Sequence, residues 1–155
     1  MAELTIRPLA PARLSAFITA VENRYAEQKA ALGGVPADIA QSQVRAETAA
    51  MFPDGRLLPG HTVLHASIGD VDAGDVWIGP HRSEPQLAFL YDIAVDPQAQ
   101  GRGTGRALLA AAEQWARAQG YTELSLHVFG GNERAIALYS SRGYRTTDLI
   151  MRRHL

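Results

Sequence analysis

Apolar residues recur along this chain with two distinct periods. A period of two marks short strands at residues 3–7, where Leu4 and Ile6 alternate with polar neighbours, and at 124–129, where Leu124, Leu126 and Val128 alternate with Ser125, His127 and Phe129. A period near 3.6 marks helices. One covers residues 12–31, with Leu14, Phe17, Ile18, Val21 and Tyr25 on a single face. Another begins at Arg106 and runs to about Gln119, with Leu108, Leu109, Ala112, Trp115 and Ala116 as its stripe. A weaker stripe of Ile39, Ala40 and Val44 predicts a third helix between Pro36 and Phe52. Residues 87–95 are almost continuously apolar, as expected of a central strand covered on both faces. Residues 61–68 and 75–78 read as partners across a hairpin loop at 69–74, and residues 144–147 and 149–154 as two closing strands. Asn132 suits the N-cap of a last helix reaching about Arg142, and Gly33-Gly34, Gly120 and Gly143 are helix stops. The pattern is that of one α/β domain spanning residues 1–155.

Composition narrows the chemistry. With 155 residues, 46% of them hydrophobic, the chain suits one core. Its formal net charge of −1, with acids and bases interspersed, gives no nucleic-acid or anionic-membrane surface. The absence of cysteine excludes a disulfide, a thiolate metal site and a cysteinyl acyl-enzyme. No apolar run approaches the roughly 18 residues of a membrane span, and the first residues lack a signal-peptide pattern, so a cytoplasmic, unexported protein is expected. The sequence is silent on oligomeric state and leaves a homodimer open.

The candidate chemistry starts where the apolar strand ends. Gln100-Gly101-Arg102-Gly103-Thr104-Gly105 lies between that strand and the helix opened by Arg106. Missing side chains let backbone N–H groups approach a ligand, and the helix start adds unpaired amides and the positive end of its dipole. Such a loop can hold phosphate, with Arg102 and Arg106 adding charge-assisted hydrogen bonds; it can equally be a tight connection with glycines for geometry alone. The dinucleotide fingerprint G-x-G-x-x-G is absent, since Gly101, Gly103 and Gly105 make G-x-G-x-G, and no Gly-Lys-Ser/Thr ends a P-loop.

Gln100-x-x-Gly103-x-Gly105 after Ile93-Ala94-Val95-Asp96-Pro97 resembles the acyl-CoA-binding signature of the GNAT family of N-acetyltransferases. The likeness continues through Asn132-x-x-Ala135-x-x-Leu138-Tyr139 to Gly143-Tyr144. Within the family, residues 91–97 and 137–144 look most like the ribosomal-protein alanine N-acetyltransferases. The resemblance implies a mixed, twisted sheet of six or seven strands with helices on both faces. It also implies a V-shaped opening between the strands at 87–95 and 124–129, holding the pantetheine arm of acetyl-CoA. The arm would pair with backbone groups of Ile93, Ala94 and Val95. The pyrophosphate would sit on residues 100–106, Gln100, Gly101, Arg102, Gly103, Thr104, Gly105 and Arg106, with Asn132 binding the arm. An N–H near Ile93 would meet the thioester oxygen.

By the same resemblance Tyr139, seven residues after Asn132 and so about two turns along one face, is the general acid for the departing thiolate. Its spacing alone would fit a core aromatic beside Ile136 and Leu138. Two residues are candidate bases. His127 stands where the alanine acetyltransferases carry a glutamate, and its imidazole titrates near neutrality. Asp92 is a carboxylate inside an apolar strand, which calls for either a function or an ion-pair partner. A water relay would replace either. His61, His65 and His81 show no metal-ligand spacing, so no metal is expected. Tyr25, Phe52, Trp77, Phe89 and Tyr91 are candidate walls of an acceptor pocket or plain core. The expected reaction is direct acetyl transfer from acetyl-CoA to a primary amine, on a small molecule or a peptide N-terminus; the alternative is a catalytically silent acyl-CoA-binding regulatory module.

Overall fold

The computed structural model describes residues 3–155. Strands β1 (Leu4–Pro8), β2 (Thr62–Ile68), β3 (Val71–Pro80), β4 (Ala88–Val95) and β5 (Leu124–Leu126) combine with helices α1 (Leu14–Ala31), α2 (Ala37–Met51), α3 (Thr104–Ala118) and α4 (Glu133–Ser141) in the order β1-α1-α2-β2-β3-β4-α3-β5-α4. The strands lie side by side in chain order, antiparallel from β1 to β4 and parallel from β4 to β5. Only the parallel step needs a crossover, and α3 supplies it.

Both faces of the sheet are covered. On one, Val76, Ile78 and Leu90 meet Leu108, Leu109 and Ala112 of α3, all 4% exposed or less. This is the stripe that the 3.6 period predicts. On the other, Val63 and Trp77 meet Phe17 and Val21 of α1 and Met51 of α2. The α2 stripe is shifted from the expected one: Ala40, Val44, Thr48 and Met51 face inward, and Ile39 is 46% exposed. Small Ala40 lets the helix approach closely where Ile39 would hold it off.

Two irregularities shape the sheet. Trp77 lies opposite Asp92 and Ile78 opposite Leu90, so Tyr91 is an extra residue on β4. Such a bulge bends its strand and turns two successive side chains to one face. Tyr91 packs among the α1/α2 side chains and Asp92 meets Arg24 of α1. Beyond the bulge β4 leaves its parallel partner, because only Ala88, Phe89 and Leu90 pair with β5. The second irregularity is at Ala73 on β3. Next to it Gly74 has φ +153°, and a Cβ there would lie 2.3 Å from the carbonyl oxygen of Ala94.

The sheet has five strands among the described residues, not the six or seven expected. Residues 144–155 carry a strand-like alternation but form none, and β5 stops at Leu126 rather than residue 129. A strand needs an edge to pair with, and three residues of β5 present too short a one. Phe129 turns instead toward Tyr25 of α1, ring centres 6.3 Å apart. Arg142 and Tyr144 are drawn to Glu113 of α3. The tail beyond them is exposed, and Arg152 Nη1 donates to the Gly33 carbonyl in the loop between α1 and α2, at 2.9 Å. The hairpin loop expected at 69–74 is also shorter: β3 already begins at Val71.

Candidate active site

Where β4 and β5 part, a cleft of about 680 Å³ opens through the sheet. Its lining falls into two halves. One is made by the Gly-rich loop, the start of α3 and the inner face of α4; the other by α1, α2, the bulged part of β4 and Phe129.

The loop half follows from local sequence. Asp96-Pro97 ends β4, and Ala99 tucks into the core, 1% exposed. Gly101 and Gly103 have φ +73° and +80°, a left-handed backbone that side-chain-bearing residues adopt at a cost. Gly103 caps α3, which starts at Thr104, two residues earlier than expected. Thr104 is buried, and its hydroxyl donates to the Ala99 carbonyl at 3.0 Å, tying the loop to the helix. The amides of the first α3 turn therefore face the loop without intrahelical partners. Gln100 bridges the lips of the cleft: its Nε2 donates to the Val95 carbonyl at 3.4 Å and its Oε1 accepts from Arg134 Nη1 of α4 at 3.1 Å.

The opposite wall is α4. Asn132 accepts from the Ala135 N–H at 3.2 Å, as an N-cap should, and also lines the cleft. Two turns on, Tyr139 lines it as well, 7% exposed. Burial, with the Asp92 carboxylate adding to it, pushes this phenol up to about 12. A helix of nine residues needs tertiary support. Glu113 of α3 gives it, accepting from Arg142 Nε at 3.3 Å, from Arg142 Nη2, and from the Tyr144 hydroxyl at 3.3 Å. Tyr144 in turn packs on Tyr139, ring centres 5.9 Å apart.

At the junction of the halves sits Asp92. Arg24 Nη2 donates to its Oδ2 at 2.6 Å, which leaves Oδ1 for the cleft. Burial raises this carboxyl above the usual carboxylate range; Arg24 opposes that rise and Asp75 adds to it. The Arg24 Nε is buried with no hydrogen-bond partner. His127 also lines the cleft but is exposed, on the irregular segment after β5, its ring edge-on to Phe129 at 4.9 Å.

Most residues singled out in the sequence thus converge: Asp92, Ile93, Val95, Gln100, Gly101, Gly103, Thr104, Gly105, Arg106, His127, Asn132 and Tyr139 all line one cleft. Ala94 and Arg102 are not among its lining residues, and Arg106 Nη2 is engaged with Ser141 Oγ at 3.1 Å. Of the candidate acceptor walls, Tyr25, Trp77, Phe89 and Tyr91 line the cleft, whereas Phe52 packs within the core. Glu47, Arg82, Phe129 and Arg134 line it unannounced by any motif. Among the described residues no three histidine or acidic side chains form a metal-holding group. His65 bonds to Asp75 at 2.7 Å and Asp72 at 3.0 Å, and His61 accepts from the Trp77 indole at 3.1 Å. Among the described residues no helix is long and apolar enough to cross a membrane.

Comparison with known proteins gives the family and the fold. The model of the acetyltransferase (GNAT) family matches residues 38–144. The uncharacterized N-acetyltransferase YycN of Bacillus subtilis is 30% identical over 154 residues, covering 98% of this chain and 99% of its own. The crystal structure of YycN superimposes with a TM-score of 0.88 over 99% of both chains. The N-acetyltransferase PaiA of Thermoplasma acidophilum, solved with coenzyme A, shares the fold at 18% identity and a TM-score of 0.69, covering 96% of this chain and 93% of that one.

Proposed function

The chain belongs to the GNAT family and is an acetyl-CoA-dependent N-acetyltransferase; from that premise we propose that it moves the acetyl group straight onto a primary amine, both substrates meeting where β4 parts from β5. The observation that carries this reading is the convergence of the loop, the free edge of β4 and Tyr139 on one cleft. In this reading the amides of residues 101–106 hold the pyrophosphate, helped by Arg134 and Arg106. The pantetheine arm pairs with β4 at Ile93 and Val95, displacing the long Gln100 contact, while Asn132 meets it from α4. The Ile93 N–H faces the thioester oxygen and stabilises the charge that develops there.

The amine approaches from the α1/α2 side. As its nitrogen bonds to the thioester carbon, the proton passes to Asp92 Oδ1, directly or through a water. Cleavage of the carbon–sulfur bond then leaves a thiolate, which Tyr139 protonates. A phenol held near 12 stays protonated in the working pH range. Asp92 is the better placed of the two candidate bases. It lies beside Ile93, and burial brings its carboxyl closer to the range in which a base works near neutrality. His127 is at the exposed end of the same route and fits an outer proton relay.

The closer likeness to ribosomal-protein alanine N-acetyltransferases rests on residues 91–97 and 137–144 and keeps peptide N-termini among the acceptors to be tried. A silent acyl-CoA-binding module would have no use for the Tyr139 hydroxyl facing its cofactor. The test is Tyr139→Phe, with acetyl-CoA binding measured by calorimetry and turnover by release of the CoA thiol. Removal of a general acid lowers kcat by about 10²-fold or more, and the buried ring should leave acetyl-CoA affinity within about twofold. Unchanged kcat would end the role given to this hydroxyl, and failure to bind acetyl-CoA would end the reading as a whole.

A further inference from the structure

The acceptor half of the cleft has a composition that selects among amines. Its walls are aromatic on two sides. Tyr25 and Phe129 stand together on one, ring centres 6.3 Å apart; Phe89, Tyr91 and Trp77 form the other, with Tyr91 4.8 Å from each neighbour. Met51 adds to the same surface. Such walls bury an apolar or aromatic body.

Its charges point the same way. A polyamine or aminoglycoside would need free carboxylates to meet its several ammonium groups. Both carboxylates lining this half are already matched by bases from α1: Asp92 by Arg24 at 2.6 Å, and Glu47 by Lys29 at 3.2 Å. Arg82, in the loop between β3 and β4, lines the cleft and has no ion-pair partner among the described residues. An unpaired guanidinium beside an aromatic wall suits a carboxylate on the incoming molecule.

We propose that the acceptor is a zwitterionic amine with an aromatic or large apolar body, an amino acid or short peptide whose free carboxylate is held by Arg82 while its side chain lies between the two aromatic walls. This rests on the acetyl-transfer reading and narrows it. The α-amino group of a short peptide also loses its proton near pH 8, so less is asked of the base at Asp92.

The experiment measures CoA thiol release with acetyl-CoA and four kinds of amine. These are phenylalanine and a dipeptide beginning with it, the C-terminal amides of both, phenethylamine, and spermidine. A carboxylate held by a guanidinium should raise kcat/KM for each free acid about tenfold or more over its amide. Phenethylamine should behave like the amides and spermidine should be poorer than either acid. In Arg82→Gln the acid-to-amide ratio should fall toward one, with acetyl-CoA affinity retained. Spermidine as the best substrate, or an acid-to-amide ratio unmoved by Arg82→Gln, would overturn the acceptor class while leaving acetyl transfer intact. If acetyl-CoA binds yet no amine in the series releases thiol, acetyl transfer to such amines fails, and the acceptor proposal with it.

Discussion

Replacing Gly74 by alanine should damage the sheet and the donor site together. The added Cβ would lie 2.3 Å from the Ala94 carbonyl oxygen and 3.1 Å from both Val95 Cα and Leu108 Cδ1. Ordinary van der Waals contact begins at 3.4 Å, so β3 and β4 must separate by about 1 Å, and backbone cannot swing aside as a side-chain tip can. Overpacking of this kind costs about 1–3 kcal/mol. Holding a non-glycine residue at φ +153° adds roughly 1–3 kcal/mol. A loss of about 3 kcal/mol or more is therefore expected, which for a domain of this size lowers Tm by roughly 6–12 °C. Val95, which faces Gly74 across the pair, is one of the residues proposed to take the pantetheine arm. The dissociation constant for acetyl-CoA should rise as well. Urea unfolding and calorimetric titration give the two numbers. Gly120→Ala is the control: φ is +89° but nothing lies within 4 Å, so it should cost about 1 kcal/mol with no change in acetyl-CoA affinity. A Gly74→Ala protein within about 1 kcal/mol of the parent would refute the argument that this glycine sets the spacing of β3 and β4.

Three further outcomes are expected. In Arg24→Gln the cation opposing the rise of the Asp92 carboxyl is gone while burial and Asp75 remain, so that carboxyl climbs further. The acid limb of kcat/KM should move to higher pH, and an unmoved limb would dismiss Asp92 as the base. Arg13 and, less, His65 hold the Asp72 carboxyl below its ordinary range. The stability this contributes is present above the unfolded-state value and is lost as pH falls through the folded one. Because the pair is about half exposed, Asp72→Asn should cost at most about 1 kcal/mol at neutral pH and nothing once both proteins are acidified, as urea titrations at two pH values would show. Asn132→Ala removes the cap of the short helix carrying Tyr139; about 1 kcal/mol of stability should go, and kcat should fall more than the affinity for free CoA, measured on the same preparation.

The half of the cleft proposed for the acyl donor was legible because each of its signals is local. The glycines, the helix start and the Asn132-to-Tyr139 spacing act within a few residues of one another, and the structure brings them to one cleft. The acceptor half was not. Arg24 reaches Asp92 across 68 positions of chain, and nothing around either residue announces the other. Phe129 read as the last position of a strand, yet its contact with Tyr25 draws it out of the sheet. The two closing strands failed for a related reason: alternation in residues 144–155 describes what that segment could do beside a partner, and β5 is too short to be one. Ile39 was misassigned because helix period alone does not say which of two adjacent apolar residues faces inward, and the smaller Ala40 won.

The early end of pairing between β4 and β5 reaches into the thermodynamics of the whole chain. Residues 91–95 offer a row of main-chain partners that no strand of the protein fills on one side, the long Gln100 contact to Val95 apart. Any molecule that completes that row is bound by the native state alone, so its binding adds to the stability of the fold, about 2.7 kcal/mol at a hundredfold excess over its dissociation constant. The lifetime of the polypeptide against heat or protease would then track the supply of its own acyl donor.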